Sequence, residues 1–419
     1  MNTAIEEHPA IPQEINLSLS SYLLRFRKLC ERPDGTLKSE VLESKSHLSL
    51  EGFRSVLWFR WLNILSGSSL KDWSVDISKH RSRYNNLRAQ YLMDRRLDGS
   101  IHPSVNNPLS QDVKSPWNQF FQDSELRCDI ERDVLRSVQE IENQDHIKDL
   151  MTTMLFIYGK EHPDLRYRQG MHELLSSILL LRIDEVSCCQ RIVQGSAEST
   201  TLALIQTLLK PETIENDVYI LFERIMEYMW DWYFTSPPPI KMSNNSKNSG
   251  GSSNQLESDD SNQDTDKDTV NLDLISNAAK RLQNMWDNIL QLHNKVLYDH
   301  LVSLNILPTT FGINWTKLLF TRQFPDYFHL WDAIIVSKFT LVDYIVVAMV
   351  LSVQSILAKG DSNSCNTVLV SKYPSNVCPR YITKLALHLQ DTKAFHKPNG
   401  SPFIFDDVAG QPPPPPIDR

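Results

Sequence analysis

Apolar residues in this chain recur mostly at steps of three and four, the spacing of a helix with one buried face. From Ser21 the pattern runs through "SYLLRFRKLC". After the polar link "ERPDGTLKSE" it resumes in "LSLEGFRSVLWFRWLNIL". The stretch "LDGSIHPSVNNPLSQDVKSPW" is rich in Pro, Asn, Ser and Asp and predicts a long loop. Helices are then expected at "SELRCDIERDVLRSVQEI", with Ser124 as its N-cap, at "DHIKDLMTTMLFIYGKE" and at "MHELLSSILLLR". Farther on, Leu274, Ala278, Leu282, Met285, Ile289, Leu292 and Val296 share one face of a single helix that ends at "ILP". The run is short for a coiled coil and reads as a helix packed inside a globular domain. Aromatic-rich helices follow to about Leu389. Strand-type alternation is scarce, so the fold class expected is all-α.

Three segments lack this pattern. Residues 1–20 are expected to be disordered. So is a polar insertion at about 241–270, containing "SNNSKNSGGSSNQLESDDSNQDTDKD", which holds almost no apolar residue to bury. The tail, 390–419, closes on "QPPPPPIDR", an extended polyproline segment. One helical domain, 21–389, is left between them.

Composition narrows the class. Only 13 glycines in 419 residues agree with a helical protein. A net charge of −8 and a pI near 5.9 speak against a nucleic-acid binder, which carries a basic stripe. Six cysteines, none in C-x-x-C spacing, read as reduced thiols rather than disulfides or a zinc site. The opening "MNTAIEEHPAIPQEINL" lacks the basic-then-apolar order of a signal peptide. The most apolar stretch, "LVDYIVVAMVLSVQSILA", is interrupted by Asp343 and Gln354 and reads as a buried helix, too short in its clean core to span a bilayer. The expectation is a cytoplasmic protein without a transmembrane segment, reaching membranes through partners.

Familiar chemistries are missing. "HELLS" starts like a zinc-protease helix but has Ser176 where the second histidine belongs, so no metal site is expected. There is no G-x-x-x-x-G-K-[ST], no G-x-G-x-x-G and no G-x-S-x-G. A phosphate chemistry here would act on a nucleotide held by another protein.

Two short stretches offer groups for that. In "CDIERDVLRSV", Ile130, Val134 and Val138 repeat every four residues and face a core, while Asp133 and Arg136 stand three apart, within reach of each other. As an ordinary solvated pair this is worth about 0.3–0.5 kcal/mol. As a device, it is an arginine held at a fixed angle and offered outward. In "RYRQG", Gln169 can both donate and accept and so orient a water. Tyr167 would pack to hold the turn, and Gly170 would let another backbone approach. As bland alternatives, the segment is a polar loop before a buried helix, and Arg54 and Trp58 in "FRSVLWFRW" are a solvated arginine and a core tryptophan, scaffold bracing the arginine's surroundings.

Taken in order, R-x-x-x-W (Arg54, Trp58), I-x-x-D-x-x-R (Ile130, Asp133, Arg136) and Y-x-Q (Tyr167, Gln169) resemble the TBC domain of Rab GTPase-activating proteins. "LYDHLVSLNILPTTFGINWTKLLFTRQFP" followed by "LWD" is similar to that domain's second lobe. "NNPLSQD", "WNQFFQD", "RQGMHELL" and "LVDYIVVAM" are similar to its family-member-five branch.

The resemblance implies an all-α, two-lobed domain that supplies two fingers in trans to a GTP-bound Rab. Arg136 would neutralise charge on the transferring phosphoryl group, Gln169 would orient the attacking water, and Asp133 would hold Arg136. Such an arginine is worth roughly 10³ to 10⁵ in rate. GTP and Mg²⁺ would be carried by the Rab, with no cofactor held by this chain. The branch implies endosomal membranes, Rabs of the late-endosomal Rab-seven class, and retromer. There, Pro108 and Leu109 of "NNPLSQD" would form a turn that puts an apolar side chain into a groove of retromer's metallophosphoesterase-like subunit. Arg168 replaces a commonly aliphatic residue, which bears on Rab preference, and no G-I-P precedes Arg54. "FDDV", Phe405–Val408, has the spacing of an autophagy-adaptor ligand. The rival from another class is a non-catalytic adaptor that holds a Rab or retromer on the same fold.

Overall fold

A computed structural model describes residues 18–43, 49–67, 69–97, 101–110, 112, 115–138, 144–193, 199–234 and 276–392. The insertion expected at 241–270, the tail beyond Thr392, "FDDV" and Leu274 lie outside the described residues. Among the described residues the architecture is helices joined by turns, with no strand.

The first described helix starts at Leu19, where the Ser18 hydroxyl accepts from the Ser21 amide, slightly before the position that periodicity predicts. The polar link after it is not a link throughout, because Asp34–Leu42 is helical and buries Leu37 and Val41. Ser124 is not an N-cap. The helix runs from Pro116 to Val138, with proline in its first turn, where a missing N–H costs nothing.

The predicted long amphipathic helix also differs. Ala278, Leu282, Met285 and Ile289 are buried as expected, but a π-turn at Trp286–Leu290 rotates the face, and the helix stops at Asn294. Leu292 and Val296 therefore stand 46% and 75% exposed. The apolar stretch around Ile345 is a buried helix, Val342–Ser352, and its Asp343 lies 2.8 Å from Arg281.

One contiguous apolar core runs through both halves of the chain. In the first half, Met171–Val193 packs against Ile214–Tyr233 and Pro116–Val138 against Gln144–Glu161. In the second, Val342–Ser352 packs against Pro379–Thr392. The early helices Asp34–Leu42 and Arg54–Trp61 both lie on Phe328–Val336 and so join the halves.

Candidate functional site

Leu126, Ile130 and Val134 are buried at steps of four along Pro116–Val138, and that stripe sets the helix's rotation. Its rotation leaves Asp133 at the edge of the core, 8% exposed, and turns Arg136 outward, its side chain 58% exposed. Arg136 Nη2 donates to Asp133 Oδ1, and its Nε donates to the Arg132 carbonyl at 3.3 Å. The guanidinium also sits in the last turn, where unsatisfied carbonyls favour a cation.

The segment carrying Gln169 leaves the Gln144–Glu161 helix through a tight turn. The Arg166 amide donates to the His162 carbonyl at 2.7 Å, Arg166 takes the left-handed conformation at φ +55°, and Leu165 is fully buried. Tyr167 is half-buried, and its hydroxyl donates to Asp133 Oδ2 at 2.8 Å. Burial, and then the hydrogen bond to Asp133, push the phenol's pKa far up, so it keeps its proton and can donate. The same oxygen lies 2.9 Å from Nδ1 of His172, which is 6% exposed. The Arg136–Asp133 pair and the Tyr167 turn thus form one network. Gln169, two residues past Tyr167, is exposed, and its carboxamide makes no hydrogen bond to a described residue.

Gly170 caps the Met171–Val193 helix at φ +102°. The sequence predicts that it admits another backbone, but what approaches is side chain. A Cβ there would come within 3.2 Å of Leu318 Cδ2 and 3.3 Å of the Tyr233 hydroxyl. Tyr233 in turn donates to the Lys317 carbonyl at 2.7 Å. Burial, then the nearby Arg168, lower the Lys317 amine's pKa. Close backbone approach occurs instead at Gly159, whose added Cβ would lie 3.2 Å from the Tyr167 amide. Beyond the turn, Glu173 receives Arg322 Nε at 3.0 Å, so residues from both halves meet at this rim.

Trp58 is the core tryptophan expected, but Arg54 is placed differently from expectation. Arg54 is not solvated but 9% exposed, with Nε 3.1 Å from both oxygens of Asp332 and its guanidinium 5.3 Å from the Phe328 ring centre. Trp58, fully buried, donates from Nε1 to Asp332 at 2.8 Å. Both are clamped onto the Phe328–Val336 helix, because a buried carboxylate demands donors around it. Through Asp332 they tie the Arg54–Trp61 helix of the first half to the second.

Pro108 and Leu109 form the tip of a turn. The Ser110 amide donates to the Asn107 carbonyl at 3.0 Å, and the Leu109 amide to Asn107 Oδ1 at 2.9 Å. Asn118 Nδ2 holds the loop at the Asp112 carbonyl, 2.8 Å away, and Leu109 is left 87% exposed.

Sequence reading missed His172, met only as the start of a failed zinc motif, together with Gly159 and Tyr233. Their sole signal was position, a histidine in the first turn of an apolar helix and a glycine near the end of another.

The Rab-GTPase-TBC domain family model matches residues 106–246 and 267–357. The chain is 32% identical over 364 residues to human TBC1 domain family member 5, a match covering 83% of this chain and 42% of that protein. The mouse protein of the same name is also 32% identical, with 83% and 41% covered. The chain thus spans about two fifths of the length of these curated relatives. In fold, it is similar to the crystal structure of the Ypt/Rab-GAP domain of Gyp1p, with a TM-score of 0.59 at 13% identity, covering 91% of this chain and 100% of that one. The all-α fold, the domain model and this identity over most of the chain agree: the chain belongs to the Rab-GTPase-TBC domain family.

Proposed function

We propose that this chain accelerates GTP hydrolysis on a Rab GTPase by lending it Arg136 and Gln169. The observation that carries this is the outward-facing Arg136 held by Asp133, whose other oxygen is held by Tyr167. A guanidinium anchored at one end and exposed at the other has already lost much of its rotational freedom, so less is lost on entering a partner's site. There it would meet the charge that grows on the transferring phosphoryl group. Gln169 supplies a donor and an acceptor for the attacking water, and nothing in the described structure competes for them. GTP and Mg²⁺ arrive with the Rab. Asp133, Tyr167 and Gly170 hold the two fingers, and Ile130 sets the helix that carries one of them.

The setting we infer is the late endosome, with a Rab of the Rab-seven class as substrate and retromer as a further partner. Support comes from the resemblance around "NNPLSQD" and from Leu109, presented on a braced turn and 87% exposed. Among the described residues no helix is long and apolar enough to cross a membrane.

The test is single-turnover GTP hydrolysis across a panel of loaded Rabs with the wild type, Arg136→Ala and Gln169→Ala. The expected result is acceleration of one Rab class that falls by at least roughly 10³ in Arg136→Ala. Binding without acceleration in any member would replace this reading with that of an adaptor.

A further inference from the structure

The hydrogen bonds behind Arg136 leave little freedom in where the protons lie. Asp133 accepts from Arg136 at Oδ1 and from Tyr167 at Oδ2, 2.8 Å away. An ionised carboxylate only accepts, so the single phenolic proton lies on that bond. His172 Nδ1 stands 2.9 Å from the same phenolic oxygen. With the phenol's proton committed, an unprotonated Nδ1 would set lone pair against lone pair. The contact is attractive only when Nδ1 carries hydrogen. The Gly170 amide also points at Nδ1, but at 3.4 Å it is too long to outweigh two contacts under 3 Å.

We propose that His172 is a positioning residue for the finger pair: its Nδ1–H aims the Tyr167 hydroxyl at Asp133 and so holds the carboxylate that orients Arg136. This rests on the reading of Arg136 and Gln169 as the residues lent to the Rab. The placement suits the role, since His172 lies in the first helical turn after Gly170 and couples the Gln169 segment to the arginine helix through one phenol. Its neighbour Glu173 receives Arg322, tying the same helical turn to the second half. Burial lowers the imidazole's pKa; Glu173 and Asp133 oppose this, while Arg136 and Arg322 reinforce it. This favours the neutral ring, with its one proton on Nδ1; Nε2 faces Glu173 Oε1 at 3.9 Å, beyond hydrogen-bond reach.

Two measurements on the full chain test this. Long-range ¹H–¹⁵N NMR on histidine-labelled protein, with the His172 signal assigned by its loss in His172→Asn, reads the tautomer directly. A neutral Nδ1–H ring is expected, and an Nε2–H ring overturns the proposal. Single-turnover kinetics then compare wild type, Arg136→Ala, His172→Asn and His172→Phe. Asparagine keeps a donor near the Nδ1 position and phenylalanine keeps the volume without one. We expect His172→Phe to lower kcat about tenfold with KM little changed, and His172→Asn to stay within about threefold of wild type. An active wild type, a silent Arg136→Ala and an unimpaired His172→Phe would overturn the role of His172 alone. Equal losses in the Asn and Phe variants would do the same. Identical rates for wild type and Arg136→Ala would instead overturn the finger reading itself.

Discussion

The Tyr167 hydroxyl lies 2.8 Å from Oδ2 of Asp133 and ties the turn that carries Gln169 to the helix that carries Arg136. Neither segment could hold this arrangement alone, because the two residues are 34 positions apart. Tyr167→Phe removes the donor and leaves the ring. A stability loss of about 1 kcal/mol is expected in chemical denaturation. The kcat for hydrolysis stimulated on the Rab should fall about tenfold with KM nearly constant. An unchanged kcat would mean that Asp133 holds Arg136 without help.

Gly170→Ala places a Cβ 3.2 Å from Leu318 Cδ2 at a backbone φ of +102°. The conformation alone costs about 1–3 kcal/mol for a residue with a side chain. Thermal melts should show the loss, and Gln169-dependent hydrolysis should fall with it. Adding Leu318→Ala makes room for the new methyl group but leaves the backbone strain, so recovery should be partial. Full recovery would assign the cost to the clash.

Asp332 accepts from both Arg54 and Trp58 at the junction of the halves, and it is 2% exposed. Asp332→Ala strands a buried guanidinium, a loss of about 3–5 kcal/mol. Arg54→Ala should cost a similar amount, and the double variant less than the sum of the two. Denaturation of the full chain measures all three. Additive losses would show that the ion pair does not act as a unit.

Acid should weaken the fold through His172. Its folded pKa is depressed, chiefly by burial, below the ordinary value of about 6.5, so the unfolded chain binds the proton more readily. The linkage slope is then positive below that value: stability is whole above about pH 6.5 and is lost as pH falls through the window down to the folded pKa. Glu173 and Asp133 narrow the window, and Arg136 and Arg322 widen it. His172→Asn should flatten stability against pH between 7 and 5 relative to wild type. His80 and His293 are depressed too and add slope of the same sign. Superimposable curves for wild type and variant would refute a proton-poor His172.

Leu109 is 87% exposed, and its turn is held by Asn107 and Asn118 rather than by its own side chain. Leu109→Glu should therefore leave stability within about 0.5 kcal/mol. Binding of purified retromer should be lost, while hydrolysis on the Rab in solution persists. Unaltered retromer binding would remove this turn from the docking surface.

Helical spacing made much of the fold legible. The stripe through Ile130 and Val134 is enough to put Asp133 beside the core and Arg136 outside it, because both follow from residues within two turns of one helix. The same logic failed where the local period broke. At Trp286–Leu290 a π-turn shifted the register, and Leu292 and Val296, expected in the core, came out into solvent. Ser124 looked like a cap because serine is common there, yet Pro116 already offered a better start.

By itself the sequence determined that this is a helical chain, which way the arginine helix faces, and the order of the motifs that mark its family. Those are properties of short windows, where spacing alone dictates which side chains share a face. Only the tertiary structure decided what each polar group touches. Arg54 meets Asp332 across 278 residues, and His172 meets Tyr167. Such partners depend on how packed helices are oriented to one another, and that orientation is set by the shape of the whole core.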